Sequence, residues 1–506
     1  MARFFLTTAI DYANGDPHMG HAFEKVGADC IARYRRLRGD DVWFLIGMDE
    51  HGQKVAQTAQ DRGVSPQALV DEIAATFQAT WRALGISHDQ FIRTTAPEHK
   101  AGVTDLIERI FRRNPDDFYE RSYRGLYCVG CEAFKTGAEI VDGKCSIHPT
   151  RVLEEVEERN WFFRLSRYQG FLEELLERNP DFVRPEIRRN EILGLLRQGL
   201  EDVSASRSRI TWAVPFPRPT SDGQAQTTYV WFDALPNYWT ASRFPGSRAQ
   251  WPAQLHVVGK DITRFHCVIW PAMLHAAGEP IPEGVWAHGF IYFGGDRLSK
   301  SAGVRLDLGE AIARHGPDAL RYFLIRETGF ANDGSFTWER FDERYGSDLA
   351  DGLGNLASRT LAMLEKYRGG TVPAGSPTSL DAAGAATVTD YASAMDGLDL
   401  RGAAEAAWQL VAAANQYIVQ VAPWTLARQG RDTELDAALA ALAGCLVRLA
   451  VLTHPIMPGK ARELWDHLGQ SAPLDIAWAH ALMPQVVGLK VRKPDGLFPR
   501  VPPTTP

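Results

Sequence analysis

At 506 residues, with 45% hydrophobic and 23% charged residues, the chain has an ordinary globular composition and room for roughly three domains. A net charge of −7 excludes a uniformly basic nucleic-acid binder, though not a protein that grips RNA with one local face. No apolar run reaches the roughly 18 residues that span a bilayer, the N-terminus carries no signal or transit pattern, and six cysteines do not make a disulfide scaffold, so the chain reads as cytoplasmic.

The first predicted element is the β-rich run Phe4–Thr8, followed by a turn with the breaker pairs Asn14-Gly15 and Asp16-Pro17. His18-Met19-Gly20-His21 then opens a helical pattern that runs unbroken from Ala22 to Leu37. A helix N-terminus attracts phosphate, and histidines there can donate hydrogen bonds as charge builds. Taken alone, H-x-x-H also reads as two surface histidines at an ordinary cap, so it needs a partner motif. Val42–Met48 is a continuous apolar run of the kind buried on both sheet faces, and it ends in the polar cluster Asp49-Glu50-His51-Gly52. Helices over 66–84 and 97–113, with a short strand over 91–95 between them, predict a parallel, doubly wound sheet. No G-x-G-x-x-G follows the first strand, so a nucleotide would be held in another way.

Cys128-Val129-Gly130-Cys131 and Cys145-Ser146-Ile147-His148 form a C-x2-C…C-x2-H pattern, two close pairs of soft ligands suited to tetrahedral zinc. With all four positions filled by the protein, such a site is structural, and it would staple a segment (114–150) with little apolar content. Cys30, Cys267 and Cys445 sit singly in apolar patterns and read as buried thiols. The charged stretch 154–209 reads as largely helical.

Next comes an aromatic run, Tyr229 to Trp239, containing a single acid, Asp233, and leading into a helix near Pro236. It suits either core packing or a pocket for a small apolar group. Leu255–Asp261 is a second buried strand ending in a glycine and an acid placed for a ribose hydroxyl, with a helix over 262–277 after it. A third strand, Val285–Ile291, leads into the Gly-flanked stretch Gly294–Gly303, whose two cations and two hydroxyls could close over a polyphosphate. From Trp338 onward strand signals vanish. Leu435, Leu439, Leu442, Leu446 and Leu449 mark one helix's core stripe, and Ala-rich helices over 381–395 and 401–429, beyond a Gly/Pro linker at 369–377, complete a bundle.

The pairing of His18-Met19-Gly20-His21 with Arg297-Leu298-Ser299-Lys300-Ser301 resembles the paired HIGH and KMSKS signatures of class I aminoacyl-tRNA synthetases. Within that class the chain is similar to methionyl-tRNA synthetases over essentially its whole length. The likeness is carried by Ala9–Gly15, Met48–Gly52, the cysteine–histidine pattern, Val230–Tyr238 and Phe265–Leu274. Three departures stand out: Arg297 where the family usually has lysine, Ala302-Gly303-Val304 in place of Leu-Gly-Asn, and Asp11 where relatives often have proline. The middle stretch is too short for the large editing domain of the valine, leucine and isoleucine enzymes.

The resemblance implies an α/β Rossmann-like catalytic domain in two halves (1–113 and 226–337), a zinc-knuckle connective insertion (114–225) and an all-α anticodon-binding domain (338–506). It implies a ligase that activates methionine with ATP and Mg2+ and transfers it to the 3′ end of methionine tRNA, initiator and elongator, with one structural Zn2+. His18, His21, Lys300 and Arg297 are expected at the phosphates; Gly20, Gly259, Asp261, Ser299, Lys300 and Ser301 at the nucleotide. Ala9, Ile10, Tyr12, Asp49, Trp231, Ala234, Tyr238, Phe265 and His266 are expected around methionine. Asn355, Arg359 and Trp424 are expected at the CAU anticodon, and Cys128, Cys131, Cys145 and His148 on zinc. The chain ends at Pro506 without the tRNA-binding extension through which some relatives dimerise, so a monomer is expected. Another class I amino-acid-activating ligase, or a catalytically inactive tRNA-binding paralogue, is the alternative, and pyrophosphate exchange across amino acids separates the three.

Overall fold

The computed structural model describes residues 2–500 except 129–132, 136–138, 147–151, 294–295, 298–306, 328 and 494–495. Its centre is a parallel sheet built from β1 (Arg3–Thr8), β2 (Asp11–Tyr12), β3 (Asp41–Asp49), β4 (Gln90–Arg93), β5 (Val183–Arg184), β6 (Leu255–Gly259) and β7 (Val285–His288). The order is β5-β7-β6-β1-β3-β2, with β4 on the far side of β3. β3 is buried from Phe44 to Asp49, as its unbroken apolar run predicts for a strand covered on both faces. The chain moves from β1 outward to β3 and β4, and later returns to β1's other side as β6. That reversal makes the carboxyl ends of β1 and β6 the crevice where open α/β sheets take their ligands. Helix α1 (Met19–Leu37) starts there.

Several predicted elements take another form. The stretch over 154–209 is not largely helical. Glu154–Phe163 is a long strand paired antiparallel with Phe118–Cys128, and helices Gln169–Arg178 and Glu186–Arg197 come only after it. Its charges mimic a solvated helix because the outer end of the ribbon, at Glu154 and Glu155, is exposed, while Phe118, Phe162 and Phe163 are buried at its base. The single helix expected over 262–277 is a 3₁₀ turn (Lys260–Ile262), a π-helical turn (Phe265–Ile269) and an α-helix (Trp270–Ala277). Pro271 has no N–H to return to the preceding turn, so a regular α ladder cannot run through it. The aromatic run holds two short helices, Val230–Ala234 and Asn237–Ala241, on either side of Pro236.

Beyond Trp338 the described residues are helical apart from loops and one isolated bridge, Thr371 to Lys490. Ser379–Asp396, Leu400–Val421 and Asp432–Thr453 form the bundle's main contacts. Asp432–Thr453 is, by length and composition, apolar enough to cross a membrane, contrary to the reading of the sequence, but it is buried inside the bundle and all five leucines of its stripe are in the core. One apolar core runs from Leu6 and α1 through Phe323 and Leu356 to Leu446 and Phe498, so the bundle and one face of the sheet share an interior. Arg321, wholly buried, joins these parts by donating to the carbonyls of Leu84, Pro455 and Ile456, while Asp29 of α1 neutralises it at 2.7 Å. The opposite face of the sheet carries a second, aromatic-rich core.

Candidate active site

The start of α1 is held by its own histidines. His18 is extended (φ −129°, ψ 174°), and its Nδ1 accepts hydrogen bonds from the backbone N–H of Gly20 at 3.1 Å and of His21 at 3.4 Å. His21 Nδ1 in turn accepts from the backbone N–H of His18 at 3.2 Å, which completes a reciprocal capping box. The rings stack at 3.6 Å. Because both Nδ1 atoms accept, a neutral ring at either position carries its proton on Nε2. A Cβ on Gly20 would come within 3.0 Å of the His18 ring, so glycine lets that ring fold back.

Around the carboxyl ends of β1 and β3, the Ala9 N–H donates to Val257 of β6, Tyr12 lies in register with Asp49, and the Ala13 N–H donates to the Asp49 carbonyl. Asp49 is buried. Ala9, Ile10, Trp231 and Phe265 pack on the aromatic core together, and the Trp231 and Phe265 rings lie face to face at 3.6 Å. Behind them, the Tyr238 hydroxyl donates to His266 Nε2 at 2.7 Å while His266 Nδ1 donates to the Ile262 carbonyl at 2.9 Å. Burial presses the His266 pKa down to about 4, so the ring is neutral and acts as acceptor to Tyr238. Ala234, also buried, lies on the same short helix as Trp231. Phe265 and His266 occupy the π-helical turn, a distortion that often marks functional positions.

Gly259 ends β6, and the exposed Asp261 folds over it; a Cβ there would meet Asp261 Oδ1 at 2.7 Å. The backbone of Asp296–Arg297 pairs with Ile291–Phe293, which also pairs with Gly334–Phe336, so the segment entering the late loop is anchored by strands. The Arg297 side chain, and Ser299, Lys300 and Ser301 entirely, lie outside the described residues.

Of the predicted zinc ligands, Cys128 and Cys145 end two strands and share a small buried cluster with Leu153, apart from both main cores. Cys131 and His148 lie outside the described residues. Among the described residues no group of three or more potential ligands occurs. Two soft donors buried together, in a segment with so little apolar cover, fit the zinc reading.

Asn355 and Arg359 occupy the first turns of Asn355–Arg368, and Trp424, 39% exposed, sits on Pro423–Arg428. The helix leading to Trp424 is tied to the turn leading to Asn355 through Trp408 Nε1, which donates to the Asp348 carbonyl, and Asn415 Nδ2, which donates to that of Gly352.

The structure adds groups that sequence reasoning missed. Asp233, wholly buried behind Trp231, bridges His51 and His99. Burial alone would raise its pKa, but the His51 charge and the hydrogen bonds from both rings outweigh it and hold the carboxyl well below the usual carboxylate range. Lys25, Glu24 and His288 form a buried polar chain beneath the crevice. Asp233 was visible as the one acid in an aromatic run, but nothing in the spacing of residues 51, 99 and 233 links them.

Comparison with known proteins agrees with this geometry. The profile of the family described as tRNA synthetases class I (M) matches residues 4–152 and 136–361, and that of the anticodon binding domain of methionyl tRNA ligase matches residues 369–504. The chain is 41% identical to the methionine–tRNA ligase of Mesorhizobium japonicum over 511 residues, covering 98% of each. It is 39% identical to that of Bacillus subtilis over 527 residues, covering 98% of this chain and 78% of the relative. Among solved structures it is similar to Mycobacterium tuberculosis methionyl-tRNA synthetase in complex with methionyl-adenylate, with a TM-score of 0.92, 39% identity and coverage of 99% and 100%.

Proposed function

The chain belongs to the methionine–tRNA ligases of the class I synthetases and joins methionine to its tRNA through methionyl-adenylate; within that activity we propose the following roles for its residues. The methionine carboxylate attacks the α-phosphorus of ATP, pyrophosphate leaves, and the terminal ribose hydroxyl of tRNA then takes the methionyl group and releases AMP. No protein nucleophile takes part, so the protein's work is positioning and charge stabilisation. The His18 and His21 Nε2–H groups, with Lys300 and Arg297 from the late loop, bind the phosphates; Mg2+ enters with the nucleotide. Gly20, Gly259, Asp261, Ser299 and Ser301 hold the rest of ATP. Asp49 receives the methionine ammonium, and Ala9, Ile10, Tyr12, Trp231, Ala234, Tyr238, Phe265 and His266 enclose the side chain.

The observation that carries the phosphate roles is the double Nδ1 acceptance by His18 and His21, which commits both remaining ring nitrogens to donation at a helix N-terminus. Further out, Asn355, Arg359 and Trp424 meet the CAU anticodon of initiator and elongator methionine tRNAs, with Trp424 as a plane for an unstacked base. Cys128, Cys131, Cys145 and His148 hold one Zn2+, whose contribution is to fold the insertion. We place the enzyme in the cytoplasm as a monomer.

Pyrophosphate exchange into ATP tests the assignment: methionine should support it and valine or leucine should not. Lys300→Ala should lower the activation rate by about 10²-fold or more with the fold intact; a near-normal rate removes Lys300 from the site.

A further inference from the structure

Lys25 lies in the middle of α1 with no exposed surface, an expensive place for an ammonium group unless it is fully partnered. Its Nζ donates to Glu24 Oε1 at 2.7 Å on its own helix, and to Asp11 Oδ1 and the Ala9 carbonyl, both at 2.9 Å, on the segment between β1 and β2. That segment is where the chain leaves the sheet ladder. The Ala9 N–H still reaches Val257, but Ile10 stands between the two strands, and the Ala9 carbonyl also accepts from Thr8 Oγ1 at 3.1 Å. The second oxygen of Glu24 meets His288 Nε2 at 3.0 Å, which sets the far end of the chain. Asp11, unexplained by the family resemblance, thus accepts a hydrogen bond from a lysine fourteen residues further on.

We infer that Lys25 is a positioning residue for methionine: held between Asp11 and Glu24, its ammonium fixes the Ala9 carbonyl and so sets the Ala9–Tyr12 wall of the pocket against α1. This rests on the placing of Ala9, Ile10 and Tyr12 at methionine. A purely structural ion pair makes a different forecast. Neutralising Asp11 together with Lys25 removes one of the two buried acids that the ammonium compensates, but it does not restore the lysine's hydrogen bond to the Ala9 carbonyl.

The test uses the purified full chain and three variants, Lys25→Met, Asp11→Asn and the double variant, each assayed by thermal melting and pyrophosphate exchange. Lys25→Met should melt lower than the parent, and the double variant should recover part of that loss. In both, the KM for methionine should stay raised about tenfold or more while the KM for ATP moves less than about threefold. Asp11→Asn, nearly the same shape and with the Lys25–Ala9 bond intact, should raise the methionine KM far less than Lys25→Met does. If Lys25→Met fails to fold, the double variant and Asp11→Asn carry the comparison. A methionine KM that recovers together with the melting temperature, or one unchanged in any folded variant lacking Lys25, overturns the inference. A parent enzyme that exchanges no pyrophosphate with methionine overturns instead the assignment of the pocket.

Discussion

His51 Nδ1 sits 2.7 Å from one carboxylate oxygen of Asp233, and His99 Nε2 sits 2.9 Å from the other. One buried acid therefore locks the polar turn after β3 to the helix carrying Trp231. Asp233→Ala would leave two buried imidazoles facing an empty acceptor site and should cost about 3–5 kcal/mol in urea denaturation. Because the folded-state pKa lies below the unfolded value, the contribution is fully present above that value and fades as pH falls below about 4. The stability gap between parent and variant should close as pH falls below about 4; a gap unchanged well into acid would contradict the assigned bridge.

His18 has two separable duties. As N-cap it satisfies helix-end N–H groups, worth about 1 kcal/mol, and through Nε2 it is proposed to bind phosphate. Asparagine caps well but has no imidazole. His18→Asn should therefore keep stability within about 0.5 kcal/mol while lowering the rate of adenylate formation by about 10²-fold, whereas His18→Ala should lose both. Stopped-flow adenylation and thermal melting on the same samples distinguish the two.

Asp11 should give stability an unusual pH slope. Burial raises its carboxyl pKa from 3.8 to about 7, with the Lys25 charge opposing and the Glu24 charge reinforcing the shift. The folded state then holds a proton that the unfolded chain has released, so stability falls as pH rises from about 4 to about 7. Relative to Asp11→Asn, the parent should weaken over that window by an amount on the order of 2–4 kcal/mol, and a pH-independent difference would remove Asp11 as the source.

Metal analysis should return about one zinc per chain, and Cys128→Ser or a strong chelator should unfold the insertion at a cost of several kcal/mol. A metal-free chain with unchanged melting would rule out the four-ligand site.

The frame of the catalytic half was readable because its signals are local. An unbroken apolar run marks β3, turn pairs mark the residues after β1, and a helix with no breaker begins at the histidines. The ribbon at Glu154–Phe163 was misread because its charged outer end has the same composition as a solvated helix. Lys25 was hidden in plain view: within an amphipathic helix a lysine reads as solvent-facing, and only the folded chain shows Asp11 and the Ala9 carbonyl converging on it. The same holds for Asp233, whose partners lie 134 and 182 residues away in the chain. The methionine pocket was named through family likeness; physical reasoning alone went no further than an aromatic run.

The apolar interior shared by the sheet and the helical bundle bears on how the protein can be cut. Among the described residues, one continuous apolar interior joins the sheet to the bundle matched by the anticodon-binding family. A chain severed near Trp338 would give two fragments with raw, adhesive faces rather than two working modules, and the whole protein should melt in one transition apart from the insertion proposed to hold zinc. Grafting this bundle onto another catalytic core would mean redesigning the interior of both.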